Sequence, residues 1–438
     1  DAGGRAYLVG GSVRDLVCGQ PIHDLDLEVF DLPADALITA LQGTYALDLV
    51  GRAFGVVKLK GLPVDIGLPR REFKIGRGHQ GFSVESDPTL SLAEAAVRRD
   101  FTVNAMYLDP LTGRLEDPCG GLDDLRRRRL RHASPAFGED PLRVLRAMQL
   151  SARYDLTVAT ETVALCRSIE PEGLPRERLF GEWAKLITLG ATPSRGLSFL
   201  RDCGWLRYHR QLADLVGVPQ EPRWHPEGDV WTHTLHCLDA FAAERVDDHW
   251  EDLVVGLAVL CHDLGKPETT RLRDGRLRAY DHPQVGVRKT HAFLGALTEQ
   301  KRLLQEVAVL VREHGQPAAL YKAEATDRAI RRLAVRVGRI DRLVRVARAD
   351  AFGRPPLPTD RFPAGDWLLE RAEALGVVQA APVPLVKGRH LLELGVAPGP
   401  IYRKILDRCY AAQLDGAFAT AAEGQAHAAR LIAEDQAC

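Results

Sequence analysis

The stretch Leu8-Val9-Gly10-Gly11-Ser12-Val13-Arg14-Asp15, continued by His23-Asp24-Leu25-Asp26-Leu27-Glu28-Val29-Phe30, decides the fold of the N-terminal part of this 438-residue chain. Tyr7 to Val9 form a short apolar run that breaks at Gly10 and Gly11, where no Cβ obstructs approach of the backbone to a phosphate. Ser12 is placed to cap a helix carrying Arg14. Residues 24 to 30 alternate acidic and apolar, which predicts a strand with Asp24 and Asp26 on one face and Leu25, Leu27 and Val29 in the core. Two carboxylates that close suit a two-ion phosphoryl-transfer site, and Mg2+ is the natural ion for such oxygen ligands. An isolated Asp-Leu-Asp is more often the polar face of an edge strand, and it is the glycine pair upstream that favours chemistry.

Working outward, 45% hydrophobic and 27% charged residues are ordinary for a soluble globular chain. The length accommodates roughly two to four structural units. With a net charge of −1, a nucleic-acid partner must be met by local basic patches, which argues against a non-specific polynucleotide binder. Cys18, Cys119, Cys166, Cys203, Cys237, Cys261, Cys409 and Cys438 include no Cys-x-x-Cys pair, so free thiols in a reducing compartment, the cytoplasm, are expected. No signal peptide is apparent, and the apolar run 253–261 is too short to span a bilayer. The first residue is not Met, so the start is expected to lie a little upstream.

Strand-like runs at Tyr7–Val9, Asp24–Phe30, Val56–Leu59, Val64–Leu68 and Asn104–Leu108, with a helical one at Ala34–Leu41, predict an α/β unit over residues 1 to about 118. From about residue 122 the pattern is helical nearly throughout. Proline- and glycine-rich breaks at 110–121, 171–175, 217–228, 353–365 and 380–384 suggest boundaries. Domains are accordingly expected at 1–121, 122–218, 219–352 and 353–438. Basic stretches occur at Arg70–His79, at Arg126–His132 and in a helical stripe of Arg328, Arg331, Arg332, Arg336, Arg339, Arg342 and Arg345. Each is either a solvated face or an RNA contact.

Arg98-Arg99-Asp100-Phe101-Thr102-Val103-Asn104-Ala105-Met106 places cations, a carboxylate and an amide just before an apolar strand. Arg99 could hold a triphosphate oxygen bidentately, and Asn104 a ribose or backbone group. In Phe137-Gly138-Glu139-Asp140-Pro141-Leu142-Arg143-Val144-Leu145-Arg146, Pro141 suits a first helical turn and Asp140 its cap. Asp140, Arg143 and Arg146, at spacings of three, share a face. An acceptor beside a donor matches the amino and ring-nitrogen pattern of cytosine and adenine, the reverse of uracil and guanine. A capping Asp with a surface ion pair is the commoner origin of Asp-x-x-Arg.

These segments resemble the class II tRNA nucleotidyltransferases, the CCA-adding enzymes, and the related bacterial poly(A) polymerases. The glycine pair with Val13-Arg14-Asp15 and Asp24-Leu25-Asp26 resembles the family's catalytic motif, and residues 98 to 106 its ribose and triphosphate motif. Asp117 to Gly121 are similar to its acidic-glycine hinge, Glu139-Asp140 with Arg143 to its amino-acid template, and Glu177-Arg178-Leu179-Phe180-Gly181-Glu182-Trp183 to its neck-helix motif. Five motifs in order cover roughly the first half of the chain. The resemblance implies an α/β nucleotidyltransferase palm, a mixed sheet with helices, followed by all-α neck, HD and tail regions. It implies Asp24 and Asp26 as Mg2+ ligands and catalytic residues. Gly10, Gly11, Arg14, Arg99, Asn104, Asp140, Arg143 and Arg146 are the implied nucleotide contacts, and Asp65 is a candidate third carboxylate. Arg70 to Phe82, basic and glycine-rich, resembles the mobile loop that full CCA-adding enzymes use to switch from C to A.

A separate signal lies downstream. An apolar segment leads to His262-Asp263-Leu264-Gly265-Lys266-Pro267, with Trp231-Thr232-His233 before it and His282, His314 and Asp350 after it. This resembles the HD superfamily of metal-dependent phosphohydrolases. Imidazole and carboxylate ligands suit a divalent transition metal such as Ni2+ or Mn2+. His233, His262, Asp263 and Asp350 are the first candidates, His282 and His314 the second, and His236 a structural residue. The expected partners are the tRNA 3′ end with CTP and ATP, and neither DNA nor a membrane. The implied second activity is 2′,3′-cyclic phosphodiesterase, 2′-nucleotidase or phosphatase. Three alternatives remain: a poly(A) polymerase or A-adding enzyme, an HD phosphohydrolase whose palm only holds RNA, and a non-catalytic RNA-binding protein.

Overall fold

The structure, a computed structural model, describes residues 2–22, 24–48, 56–74 and 82–436. The chain divides into two compact units, residues 1–213 with 296–298 and residues 214–295 with 299–438.

In the first unit, β1 (Arg5–Val9) runs into α1 (Gly11–Val17), and β2 (Leu25–Phe30) into α2 (Ala34–Gln42). β3 (Leu47–Asp48), β4 (Val56–Leu59) and β5 (Val64–Gly67) follow, then β6 (Arg70–Lys74), β7 (Phe82–Ser86), α3 (Leu92–Ala96), β8 (Tyr107–Leu108) and β9 (Leu115–Glu116). Seven strands form a sheet ordered β3-β4-β5-β2-β1-β8-β9, in which β2 and β5 are parallel and the other pairs antiparallel. β2 is central because both its faces are covered. Val29 joins Leu37, Leu59 and Ile66 beneath α2, while Phe30 meets Tyr7 and Tyr107 edge-to-face at 5.8 and 5.9 Å. The face that ends in Phe30 begins with Asp26 and Glu28, so one strand grades from an apolar core to an acidic edge.

Three local expectations change. β2 starts at Leu25, leaving Asp24 exposed just before it, and Leu25 and Leu27 are half-buried rather than core. The expected strand at 104–108 shrinks to Tyr107–Leu108, because Thr102–Asn104 close a 3-10 turn. Buried Asp124 holds that turn, accepting from Thr102 Oγ1 at 2.7 Å, Arg129 Nε at 2.6 Å and Arg131 Nε at 3.0 Å. The expected loop at 70–82 has paired flanks, β6 with β7, and its residues 75–81 lie outside the described residues, as does His23.

Beyond the sheet the unit includes α4 (Gly121–Arg126), α5 (Leu142–Arg153), α6 (Thr160–Arg167), α7 (Arg176–Leu189) and α8 (Pro193–Asp202). α5 packs on both α7 and α8. Gly196 makes the second contact feasible, since a Cβ there would lie 2.4 Å from the Met148 carbonyl oxygen.

The second unit is helical around the buried helix His249–Cys261, whose residues 252 to 261 are all buried. Its helix Pro400–Leu414 and the last helix, from Ala421, share a separate small core with Leu391 and Phe418. The helical pattern is interrupted at Thr270–Arg273 and Arg276–Ala279, a hairpin turned by Asp274 (φ 50°) and Gly275 (φ 72°). Asp-Gly between apolar-alternating flanks is the sequence signal for that turn. The arginine stripe is bonded within the unit. Arg328 and Arg332 reach Asp415, Arg336 reaches Glu313, Arg339 and Arg342 reach Glu251, and Arg345 reaches Asp252. Arg331 donates to the Leu414 carbonyl. Among the described residues no helix is long and apolar enough to cross a membrane.

The packing at Gly196 generates a paired expectation. Gly196→Ala forces α5 and α8 apart and is expected to cost about 1–3 kcal/mol. Gly181→Ala, in α7 with nothing within 4 Å of the new Cβ, is expected to be stabilising by about 0.5–1 kcal/mol. Denaturant midpoints of the two variants check this, and equal midpoints would refute the close helix contact.

Candidate functional site

Gly10, at φ 67°, turns the chain from β1 into α1, and a Cβ there would stand 3.2 Å from Arg99 Nη1 and 3.6 Å from Asp26 Oδ2. Gly10 is itself the N-cap, so Ser12 lies inside α1 and does not cap it. Its hydroxyl instead donates to the Asp24 carbonyl at 2.9 Å and accepts from the Asp26 N–H at 3.0 Å. One side chain therefore sets the backbone that presents both carboxylates. Across the parallel pair Asp26 stands in register with Asp65, whose Oδ2 is 2.6 Å from Lys58 Nζ. Burial pushes the Asp26 carboxyl up, Arg99 opposes this, and Asp65 and Asp24 add to it. An all-oxygen edge whose like charges destabilise the ionised state fits a hard divalent cation.

A cleft of about 600 Å³ opens from this edge. Its lining includes Gly10, Gly11, Arg14, Asp26, Asp65, Arg99, Asn104, Asp140, Arg143 and Arg146, and so gathers residues far apart in sequence. Asp24 alone of the expected palm residues is not in the lining. A buried relay forms the wall. Arg14 Nε and Nη2 bond Asp15 Oδ1 at 2.9 and 2.8 Å, its Nη1 donates to Asn104 Oδ1 at 2.6 Å, and its guanidinium carbon lies 4.4 Å from the Tyr154 ring centre. Asn104 Nδ2 donates to Asp100 Oδ1 at 2.9 Å, and Arg146 Nε to Asp100 Oδ2 at 2.7 Å. Burial would raise the Asp100 carboxyl, but Arg146 and the Asn104 hydrogen bond hold it at about 2.

On the opposite side Asp140 Oδ1 accepts from the Leu142 N–H at 3.0 Å, and Oδ2 from Arg178 Nη2 at 3.0 Å. Arg143 donates to the carbonyls of Ala136 at 2.9 Å and Arg98 at 3.0 Å. The helix starts at Leu142 with Pro141 at its cap position, one residue later than expected for an Asp140 cap. Arg99 pairs with Glu28 at 3.0 Å. Sequence reasoning missed Glu28, Asp100, Tyr154 and Arg178 as members of this site. Arg178 stands in the neck motif and Asp100 beside Arg99, whereas Tyr154 carries no local signal.

In the second unit His233, His262, Asp263 and Asp350 converge. His233 Nε2 is 3.2 Å from Asp350 Oδ1, His262 Nε2 is 3.2 Å from Asp263 Oδ2, and the two Nε2 atoms are 3.4 Å apart. His282 and His314 join them, with Nε2 atoms 3.2 Å apart and His282 Nε2 3.6 Å from Asp263 Oδ1. The Nδ1 atoms all point elsewhere. Those of His262, His282 and His314 are each 2.7 Å from the carbonyl three residues back, and that of His233 is 2.8 Å from Glu227 Oε1. A proton kept on Nδ1 leaves Nε2 a lone pair, the tautomer a metal requires. Two such nitrogens facing each other, with Asp263 Oδ1 lacking a hydrogen-bond donor, fit a bound cation. Cys237, one turn after His233, also reaches this set, and His236 does not. Glu227 and Cys237 were missed because no spacing rule singles them out.

Gly265 explains the His-Asp-x-Gly pattern. A Cβ on it would fall 2.0 Å from the His282 carbonyl oxygen, so glycine is what lets His282 approach Asp263. Gly265→Ala is expected to lower transition-metal affinity of the full chain by about 10–100-fold. Metal released per chain, measured after dialysis against a graded chelator, checks this, and unchanged retention would show that His282 is not part of the site.

Residues 6–131 match the Poly A polymerase head domain family, and residues 230–350 the HD domain family. The chain is 36% identical over 392 residues to the multifunctional CCA protein of Pseudomonas fluorescens, covering 86% of this chain and 92% of that one. It is 36% identical over 406 residues to that of Ectopseudomonas mendocina, covering 90% and 95%. In three dimensions it is similar to the Bacillus stearothermophilus CCA-adding enzyme solved in complex with CTP, with TM-score 0.68, 24% identity and coverage of 100% of this chain and 95% of that one. At that identity the structural likeness speaks for the fold. The chain belongs to the class II family of CCA-adding enzymes and poly(A) polymerases, in the form that carries a C-terminal HD domain.

Proposed function

We propose that this chain is a CCA-adding tRNA nucleotidyltransferase that uses CTP and ATP without a nucleic-acid template, and that its HD domain is a metal-dependent phosphohydrolase. The observation that carries the first part is the single cleft in which the acidic edge of β2 faces Asp140, Arg143 and Arg178. Its chemistry is a hydroxyl attack on an α-phosphate beside a fixed selector for the base.

Asp24 and Asp26, with Asp65 beside them, would hold Mg2+, which when bound lowers the pKa of the attacking 3′-hydroxyl and offsets charge on the pyrophosphate. The chain's own residues do the rest. Ser12 keeps the two carboxylates at their spacing. Arg99 and Arg146 present N–H donors to the triphosphate, and Arg14, already bonded to Asp15 and Asn104, braces the wall with Gly10 and Gly11 open to the phosphates. Asp140, oriented by Arg178, accepts from an exocyclic amine, and Arg143 donates to the ring nitrogen, which selects cytosine and adenine. In the HD domain His233, His262, Asp263 and Asp350 would hold Ni2+ or Mn2+, and 2′,3′-cyclic phosphodiester or 2′-phosphate hydrolysis is the activity assigned. We place the domains at 1–121, 122–218, 219–352 and 353–438, and the chain in the cytoplasm, where its cysteines, free at all seven described positions, stay reduced.

Incubating tRNA that ends at its discriminator base with labelled CTP alone is expected to add C, and absence of C incorporation would overturn this function in favour of A-only addition. Asp24→Ala with Asp26→Ala is expected to abolish nucleotide addition while HD hydrolysis persists; loss of neither activity would assign the palm to RNA holding. For base selection, Arg143→Ala is expected to relax discrimination against UTP by about tenfold or more, and Arg178→Ala to raise KM for both CTP and ATP. Unchanged UTP rejection in the first variant would remove Arg143 from the selector.

A further inference from the structure

The stripe of arginines at 328–345 is ion-paired or bonded inside the second unit, whereas the arginines of the hairpin beside the HD cluster form no ion pair among the described residues. Arg271, Arg273, Arg276 and Arg278 lie on its two strands, and among the described residues none of the four pairs with a carboxylate. Arg273 and Arg278 lie over the ring of Tyr280, which is itself exposed. Next to this row is a pocket of about 230 Å³ lined by Gln220, Trp224, His225, Lys266, Leu277 and Arg278.

Trp224 is 56% exposed, an unusual state for an indole, and yet it is held in place. The Trp224 backbone N–H donates to the Glu221 carbonyl at 3.0 Å, and the Glu221 carboxylate accepts from the Leu277 N–H at 3.1 Å, joining the turn that carries the tryptophan to the hairpin. Arg223 lies 5.1 Å from the indole centre. The inner wall of the pocket is the outer wall of the histidine cluster. Lys266 Nζ is 2.6 Å from both Gln220 Oε1 and Asp263 Oδ2, and the His225 ring meets that of His233 edge-on at 4.8 Å. A fixed aromatic surface, a row of uncompensated cations and a buried lysine touching the metal-ligand carboxylate therefore adjoin within one unit. Aromatic stacking takes any base, and arginine takes phosphate.

We propose that this pocket binds the terminal nucleotide of an RNA, with Trp224 stacked on the base and Arg278 and Lys266 holding its phosphate beside Asp263. The inference rests on the hydrolase reading of the HD domain and adds where its nucleotide is gripped: Trp224 takes the base, so that a nucleoside phosphate is selected over a free phosphate ester. The hairpin arginines then take the phosphates that precede the terminal nucleotide.

Calorimetric titration of the Mn2+-loaded full chain with adenosine 2′-monophosphate and with inorganic phosphate tests this. Nucleotide held in the palm is common to all variants, so the difference between them isolates the pocket. W224A is expected to weaken adenosine 2′-monophosphate binding by about five- to 150-fold. W224F is expected to recover most of it, R278A to weaken it as well, and the affinity for inorganic phosphate to be the same in wild type and W224A. Equal binding of the nucleotide by wild type and W224A overturns the proposal, as does a W224A loss that extends equally to inorganic phosphate. Turnover of the same nucleotide is read separately. Trp224-dependent binding without turnover supports the pocket and refutes the hydrolase, whereas turnover with Trp224-independent binding refutes the pocket alone.

Discussion

The first unit depends on a hydrogen-bonded chain of polar and charged side chains, buried at Arg14, Asn104 and Asp100, that runs from Asp15 to Arg146. Each link is necessary because a buried charge without a partner costs several kcal/mol, and each residue here is the partner of the next. The chain starts at the helix that follows the glycine turn, crosses the 3-10 turn at Thr102–Asn104 and ends on α5. It therefore ties the element that presents the acidic edge to the helix that presents Asp140 and Arg143. The selector and catalytic roles proposed for these two elements need a constant separation, and a relay of directional hydrogen bonds provides this better than apolar packing, which has no preferred angle.

The HD cluster is built by a different device. Three of its four histidines bond a carbonyl of their own helix end or turn three residues back, so their orientation follows from local backbone, and only the distances between them need tertiary packing. That packing is tight at Gly265, where any side chain would collide with the His282 carbonyl. Burial holds His314 at about 4, so the ring stays neutral and its Nε2 available to a cation.

Charge placement separates the two kinds of basic surface. Helical spacing of arginine is the same whether the partner is a phosphate or a carboxylate on the next helix, and here the carboxylates of Glu251, Glu306, Asp252, Glu313 and Asp415 take the stripe. Among the described residues the hairpin arginines have no such neighbours, because a two-stranded ribbon at the surface offers no second layer to supply them.

The α/β-then-α architecture was legible in sequence because apolar periodicity is a local property, and four of the five strands and helix α2 fall where that periodicity places them. The chemistry-bearing residues were legible as types at short spacings: Asp26 after a glycine turn, Asp140 with Arg143, His262 with Asp263. What the sequence could not contain is which distant groups complete them. Ser12 reads as a cap and acts as a bridge because Asp24 and Asp26 come to lie beside it. Arg178 and Tyr154 enter their site through packing of elements tens of residues apart, Glu227 from the turn that precedes the His233 helix, and Cys237 through a helical turn whose inward face only the fold defines. Local pattern thus determined the elements and the donor types. Tertiary structure decided the partners, because hydrogen-bond and ion-pair energies depend on distances that the order of residues along a chain does not specify.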